Sequence, residues 1–177
     1  WLLQDDYRPG RINPPRPWGC ILLDAPYARV GFSCGGLHVT IRAVRVLVLS
    51  DIHANLTALD AVLEDADGYD AVWCLGDLVG YGPDPNECIA RVRGLPNLLC
   101  LIGNHDEAAL GDIPLSRFNS DARTAAAWSQ ETLSEDAKAF LRGLPSKIVA
   151  GPFTLAHGSP RQPVWEYVLD HHAADHN

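Results

Sequence analysis

The 177-residue chain contains no methionine and begins at Trp1, so the expectation is a piece of a longer frame. It has no Cys-x-x-Cys pair, and its cysteines (Cys20, Cys34, Cys74, Cys88, Cys100) are odd in number. Cys74 and Cys100 stand inside apolar runs, where a free thiol behaves as a small hydrophobe. A reducing, cytoplasmic setting is therefore expected. No apolar run approaches the length of a membrane span, and no signal-peptide pattern is visible, so no membrane partner is expected. Cations are scarce: 14 Lys and Arg against 22 Asp and Glu leave a net charge of −8. That excludes a broad nucleic-acid or anionic-membrane surface, which needs clustered Lys and Arg. A small phosphorylated substrate stays open, because bound divalent ions reverse the local sign.

The charge is uneven. Residues 1–43 carry five Arg and three Asp, a net of +2, which leaves −10 for residues 44–177. This leading segment is rich in Pro and Gly ("PGRINPPRP") and shows no sustained period of 3.6 or 2. It reads as a poorly ordered or artefactual extension, with short strands drawn only at "GCILLDAP" and "LHVTI". His38, inside it, has no chemical role in this reading.

From Val44 the texture changes. "VRVLVLS" is the near-continuous apolar run of a strand covered on both faces. "NLTALDAVLEDA" follows as a helix, with Asn55 as N-cap and Leu56, Leu59 and Leu63 at helical spacing. "DAVWCLG" is a second buried strand, "PNECIARVRGL" a helix with Pro85 in its first turn, and "NLLCLIG" a third strand. This alternation predicts βαβ units and a parallel sheet. Two more helices are expected at "DARTAAAWSQETL" and "SEDAKAFLRGL", then a strand pair, "SKIVA" and "FTLAHGS", joined at Gly151-Pro152. "PVWEYVLDHHAADHN" is expected to open as a helix. Trp73, Trp128 and Trp165 read as packing residues.

Strand after strand ends in polar residues: "SDIH", "LGDLVG", "IGNHDE" and "LAHGS". Ligands of open parallel sheets bind outside the carboxyl ends of the strands, so these ends converge. They bring together Asp51, His53, Asp77, Asn104, His105, Asp106 and His157. Carboxylates crowded beside apolar strands repel unless cations compensate them. The donors are nitrogen and oxygen, which suits Mn, Fe, Zn, Co or Ni. Along an extended chain i and i+2 point the same way, so Asp51 and His53 grip one ion. Gly76 clears space beside Asp77, letting that carboxylate bridge two ions. Asn104 and His105 are adjacent and point apart, one to ligate and one to face the substrate. Asp106 then orients His105 and raises its pKa. Tyr81 is placed at the substrate mouth, and Arg161 in a solvated loop.

The ordered set "D-x-H" at 51–53, "GD" at 76–77, "GNHD" at 103–106 and "HG" at 157–158 resembles the calcineurin-like metallophosphoesterases, over roughly residues 44–170. "GYGPDPNEC" and "HGSP" make it most similar to the small bacterial and archaeal phosphodiesterases of that superfamily. The resemblance implies an α/β sandwich and two divalent metal ions, with manganese favoured. Asp51 and His53 would hold the first ion, Asp77 would bridge, and Asn104 and His157 would hold the second. His105, assisted by Asp106, would be the catalytic acid. The ions, about 3.5–4 Å apart, would generate a hydroxide and clamp the phosphoryl oxygens for in-line displacement.

Two departures from the family's pattern stand out. The superfamily's Gly-His-x-His string is absent, and only "HHAADH", with His172 and His176 at i and i+4, offers histidines in its place. No Arg follows the "GD" and Asp, not Glu, follows the "GNH", which disfavours the protein serine/threonine phosphatases. The expectation is thus a metallophosphoesterase domain over 44–177, incomplete at its C-terminus, hydrolysing a phosphodiester. The rival is a non-catalytic scaffold on the same fold. A dinucleotide-binding module is excluded, because the first strand leads into "SDIHAN" and not a glycine-rich turn.

Overall fold

The computed structural model describes residues 2–4, 21–25 and 44–177. Seven strands form two sheets. The first sheet takes β2 (Ile21–Ala25), β3 (Val44–Leu49), β4 (Ala71–Cys74) and β5 (Leu99–Cys100) in that order. Here β3, β4 and β5 run parallel, and β2 closes one edge antiparallel, with Ile21 opposite Val48. The second sheet is antiparallel, in the order β1 (Leu2–Gln4), β7 (Phe153–Ala156), β6 (Lys147–Ala150).

Alternation along the parallel strands builds the sandwich. Leu47 and Leu49 of β3, with Val72 and Cys74 of β4, join one apolar cluster with residues of the helices. These helices are α1 (Leu56–Asp65), α2 (Pro85–Arg93), α3 (Asn104–Leu110) and α5 (Glu135–Arg142). Val46, Val48 and Trp73 point the other way and meet Phe153 and Leu155 of β7. The Trp73 and Phe153 rings pack edge to face, 5.4 Å between centroids. Both faces of β3 are therefore covered, which is why its sequence is apolar apart from Arg45 near its start. Helix α4 (Ser120–Thr132) packs on α3 through Ala122 and Ala126.

Three helix starts read from sequence are present, while α4 is capped by Asn119, two residues before the expected Asp121. Asn55 accepts the Ala58 N–H at 3.0 Å, Ser134 accepts that of Ala137 at 3.2 Å, and Pro85 opens α2. Two elements differ. Residues 163–169 make a turn and irregular chain, and α6 (His171–Asp175) begins only after Asp170, which caps it through the Ala173 N–H. Strand β5 shortens to two residues, since the Leu101 N–H still reaches Cys74 O but the Ile102 N–H turns to Pro145 O. Of the two strands drawn in the leading segment, 21–25 pairs with β3, and 37–41 lies outside the described residues, as do His38, Cys20 and Cys34. Cys74, Cys88 and Cys100 are free and buried. Among the described residues no helix is long and apolar enough to cross a membrane.

Candidate metal centre

The ends of β3 and β4 are laced together before any side chain is considered. Asp51 N donates to Gly76 O, His53 N to Asp77 O and Ala54 N to Leu78 O, at 3.1, 3.0 and 2.8 Å. Asp51, His53, Ala54, Asp77 and Tyr81 all hold positive φ, between 49° and 57°. Left-handed backbone costs non-glycine residues on the order of 1 kcal/mol each, so these loops persist because the inter-loop bonds hold them. Asp51 and His53 thus face one point through a left-handed turn, and the expected extended-strand alternation is not the reason. Gly76 also serves a different purpose from the one expected. Its φ is +106°, and a Cβ there would lie 2.7 Å from Gly103 N, so it lets two loop backbones cross. A Cβ on Gly103 would fall onto the Asp77 carboxylate itself.

Asp77 is the hinge of the site. It is buried, and its Oδ1 accepts the His105 backbone N–H at 2.9 Å. Its Oδ2 lies 3.8 Å from His53 Nε2 and 3.5 Å from His157 Nε2. On one side Asp51 Oδ1 is 3.6 Å from the same His53 nitrogen. On the other, Asn104 Oδ1 is 2.9 Å from His157 Nε2. The structure therefore brings Asp51, His53, Asp77, Asn104 and His157 together as two trios that share one carboxylate oxygen.

The tautomers sharpen this. His53 Nδ1 faces Val79 O at 3.2 Å and His157 Nδ1 faces Leu75 O at 3.1 Å. A carbonyl only accepts, so each Nδ1 carries the ring's proton and each Nε2 turns a lone pair toward oxygen acceptors. Acceptors facing acceptors need a proton or a cation between them. Burial pushes the His157 pKa down, which makes a proton the poorer filler there. Burial first, and then the Asp106 charge, raises Asp77 well above the usual carboxylate range. Asp51, more exposed, is held at about 2, by the neighbouring His53 side chain first and, among the other groups that lower it, the Ser50 hydroxyl, against partial burial. The donor set fits divalent cations.

His105 and Asp106 do not form the expected pair. Asp106 is fully buried, and its Oδ2 accepts the N–H groups of Asp77 and Gly103, each at 2.9 Å, while Oδ1 accepts that of Val79 at 3.1 Å. It is a fastener between two loops and does not orient the His105 ring. Burial pushes Asp106 up to about 6 against the pull of those donors. His105 is not raised either. Burial first, then His53 and His157, bring it down to about 4. Its Nδ1 is buried without a partner, packed against Gly80. With no acceptor at Nδ1, the neutral ring keeps its proton on Nε2. His105 also groups with His53 and Asp77, their ligand-type atoms lying within 4.8 Å of one another; a second such group is Asp51, Asp77 and His157.

Aromatic rings wall the site. The Tyr81 ring lies 4.9 Å from both His53 and His105, and Phe118 stands 5.0 Å from His105 on the far side. Tyr81 lines the cavity in front of Asp51 and His53, about 450 Å³ in volume. Trp165, read from sequence as a packing residue, is half-buried against Phe118 and carries Arg117 over its face at 3.8 Å. Phe118 escaped the sequence reading, where its only signal was aromatic character in a loop. Arg161 pairs with Glu166 and does not enter the site. His172 and His176 stack on each other, 4.3 Å between ring centroids, and belong to neither ligand group.

A family model for the calcineurin-like phosphoesterases matches residues 44–175. The chain belongs to that family. An uncharacterized protein of Methanocaldococcus jannaschii is 39% identical over 137 residues, which are 73% of this chain and 56% of that protein. The crystal structure of a metallophosphoesterase from Sphaerobacter thermophilus is 48% identical, with a TM-score of 0.63 over 72% of this chain and 52% of the other. A hypothetical protein from Pyrococcus horikoshii OT3 shares the fold at 21% identity and a TM-score of 0.58, over 70% of this chain and 58% of its own. The chain thus spans little more than half the length of these relatives. Family membership and the two ligand groups together support divalent metal binding by this calcineurin-like domain.

Proposed function

We propose that this chain carries most of the active site of a metal-dependent phosphoesterase that takes a small phosphorylated substrate, a phosphodiester in preference to a monoester. The observation that carries the reading is Asp77 Oδ2, set between two histidine nitrogens whose lone pairs are committed toward it. Asp51, His53 and Asp77 would hold one ion, and Asp77, Asn104 and His157 the other. Nitrogen and oxygen donors suit Mn, Fe, Zn, Co or Ni, with manganese favoured. When bound, such ions supply Lewis acidity to the phosphoryl oxygens and a water that ionises near neutral pH.

The chain's own residues do the rest. The His105 ring, neutral because it is buried, donates a hydrogen bond from its Nε2–H to an oxygen of the ester. It keeps that proton, since losing it would leave an imidazolate, and steadies the negative charge that grows on the oxygen. Asp106 fixes the loops that carry Asp77 and Asn104. Tyr81 and Phe118 both pack against the ring. The metallophosphoesterase named in the Sphaerobacter thermophilus structure lends the reading support at 48% identity.

The test is hydrolysis of bis(p-nitrophenyl) phosphate with Mn²⁺ by the intact gene product, beside Asp77→Asn and His105→Ala. The expected result is metal-dependent turnover that Asp77→Asn abolishes, with His105→Ala down by about 10²- to 10³-fold, the usual worth of one positioned hydrogen-bond donor. Equal background rates in all three would leave the scaffold reading standing.

A further inference from the structure

The metal centre accounts for the cavity in front of Asp51 and His53, but not for the groove beside it. Helix α4 turns Ala122, Ala126 and Ser129 inward. Asp121, Thr124, Ala125 and Trp128 follow the i, i+3, i+4, i+7 spacing of another helical stripe and line a groove of about 550 Å³. Tyr81 and Pro83 form part of its other wall. Trp128, read from sequence as packing, is 42% exposed, and Tyr81 is 51% exposed. Two large rings thus line one groove with much of their surface open, a pattern that marks a binding surface more than a core.

The groove is continuous with the metal centre. Tyr81 lines both the groove and the cavity, and its ring touches His53 and His105. A ligand that places a phosphoryl group at the two trios therefore has its next substituent beside Tyr81. The groove's chemistry narrows that substituent. Among the described residues, the only formally charged one that lines it is Asp121, whose carboxylate repels a second phosphate and accepts from N–H donors. The Thr124 hydroxyl donates to Ser120 O at 2.9 Å, which leaves its own oxygen free to accept. Ring faces along the wall with acceptors nearby complement a flat, uncharged heterocycle that bears N–H groups.

We infer that this groove is a nucleobase subsite, with Trp128 as its stacking surface, and that the substrate is a nucleotide-type phosphoester. The inference rests on the phosphoesterase reading for the position of the phosphate, and on the groove for the base. Dissociation constants of adenosine 5′-monophosphate, ribose 5-phosphate and adenosine, measured calorimetrically in Mn²⁺ on the chain, Trp128→Ala and Trp128→Phe, test it. The nucleotide should bind about tenfold more tightly than ribose 5-phosphate, the order expected of one base on one aromatic ring. Trp128→Ala should erase that preference and leave ribose 5-phosphate unchanged, while Trp128→Phe keeps most of it. Equal affinity for nucleotide and sugar phosphate in the unmodified chain, no binding of the nucleotide, or a preference that survives Trp128→Ala overturns the subsite. Adenosine binding that depends on Trp128, with no gain from the phosphate or the metal, would keep the subsite and remove the phosphoesterase reading.

Discussion

Three backbone N–H groups from two loops converge on the Asp106 carboxylate, and no side chain of the site touches it. A buried acceptor that serves several donors is costly to lose, because every donor then stays desolvated. Asp106→Asn keeps the size but sets an amide N–H₂ against a backbone N–H. The expected outcome is a loss of about 3 kcal/mol in urea unfolding, from the donors left without an acceptor. Metal affinity should weaken alongside it, because Asp77 N and Gly103 N are both among the released donors. His105→Ala should do the opposite, keeping the fold and losing turnover, and measuring both variants separates the fastener from the hydrogen-bond donor. The sequence showed where Asp106 lies but not what it binds. In "GNHD" the acid stands one residue from His105, and only the folded loops reveal that its oxygens point back at backbone.

The segment after β7 is tied down by one side chain. Glu166 accepts from the Ser159 hydroxyl at 2.5 Å and from Asn177 Nδ2 at 3.1 Å, and it pairs with Arg161. These bonds, the Arg161 interaction first, hold its carboxyl down at about 2. A depressed acid stabilises the folded segment above its unfolded value near 4.5, and that contribution is lost as pH falls from there through about 2. Amide exchange of residues 158–166 should therefore quicken across that window, while β3 and β4 stay protected. Glu166→Gln should show the quicker exchange already at pH 7. Unchanged exchange in Glu166→Gln would mean that Trp165 and Phe118 hold the segment alone. This element was misjudged from sequence, where "PVWEYVL" carries helical spacing. Its polar contacts are made with residues five to eleven positions away, and they outweigh local propensity.

At the scale of the molecule, the two trios draw ligands from both sheets. Asp51, His53 and Asp77 come from the ends of β3 and β4, while His157 comes from β7 of the other sheet and reaches across to Leu75 O. Cations there would tie the sheets together, so metal should stabilise the whole chain. Each saturable site adds about 2.7 kcal/mol at a hundredfold excess over Kd. The Tm should rise by several degrees with Mn²⁺ and fall back in Asp77→Asn. Elemental analysis of the Mn²⁺-loaded chain should find two ions, and a chain that takes up none removes the site.

The strand runs, the helix caps and the four polar strand ends were all determined by the sequence, because each depends on a pattern a few residues long. Burial on both faces writes "VRVLVL" whatever lies across the sheet, and a cap needs only its own first turn. The family followed from the order of those ends. What the tertiary structure alone decided was direction. It set Asp106 toward backbone and left His105 neutral in a buried wall of rings. It also left Trp128 facing outward beside Tyr81. Each of these depends on which loop crosses which, and on how much water reaches a ring, and those quantities exist only once distant segments have packed.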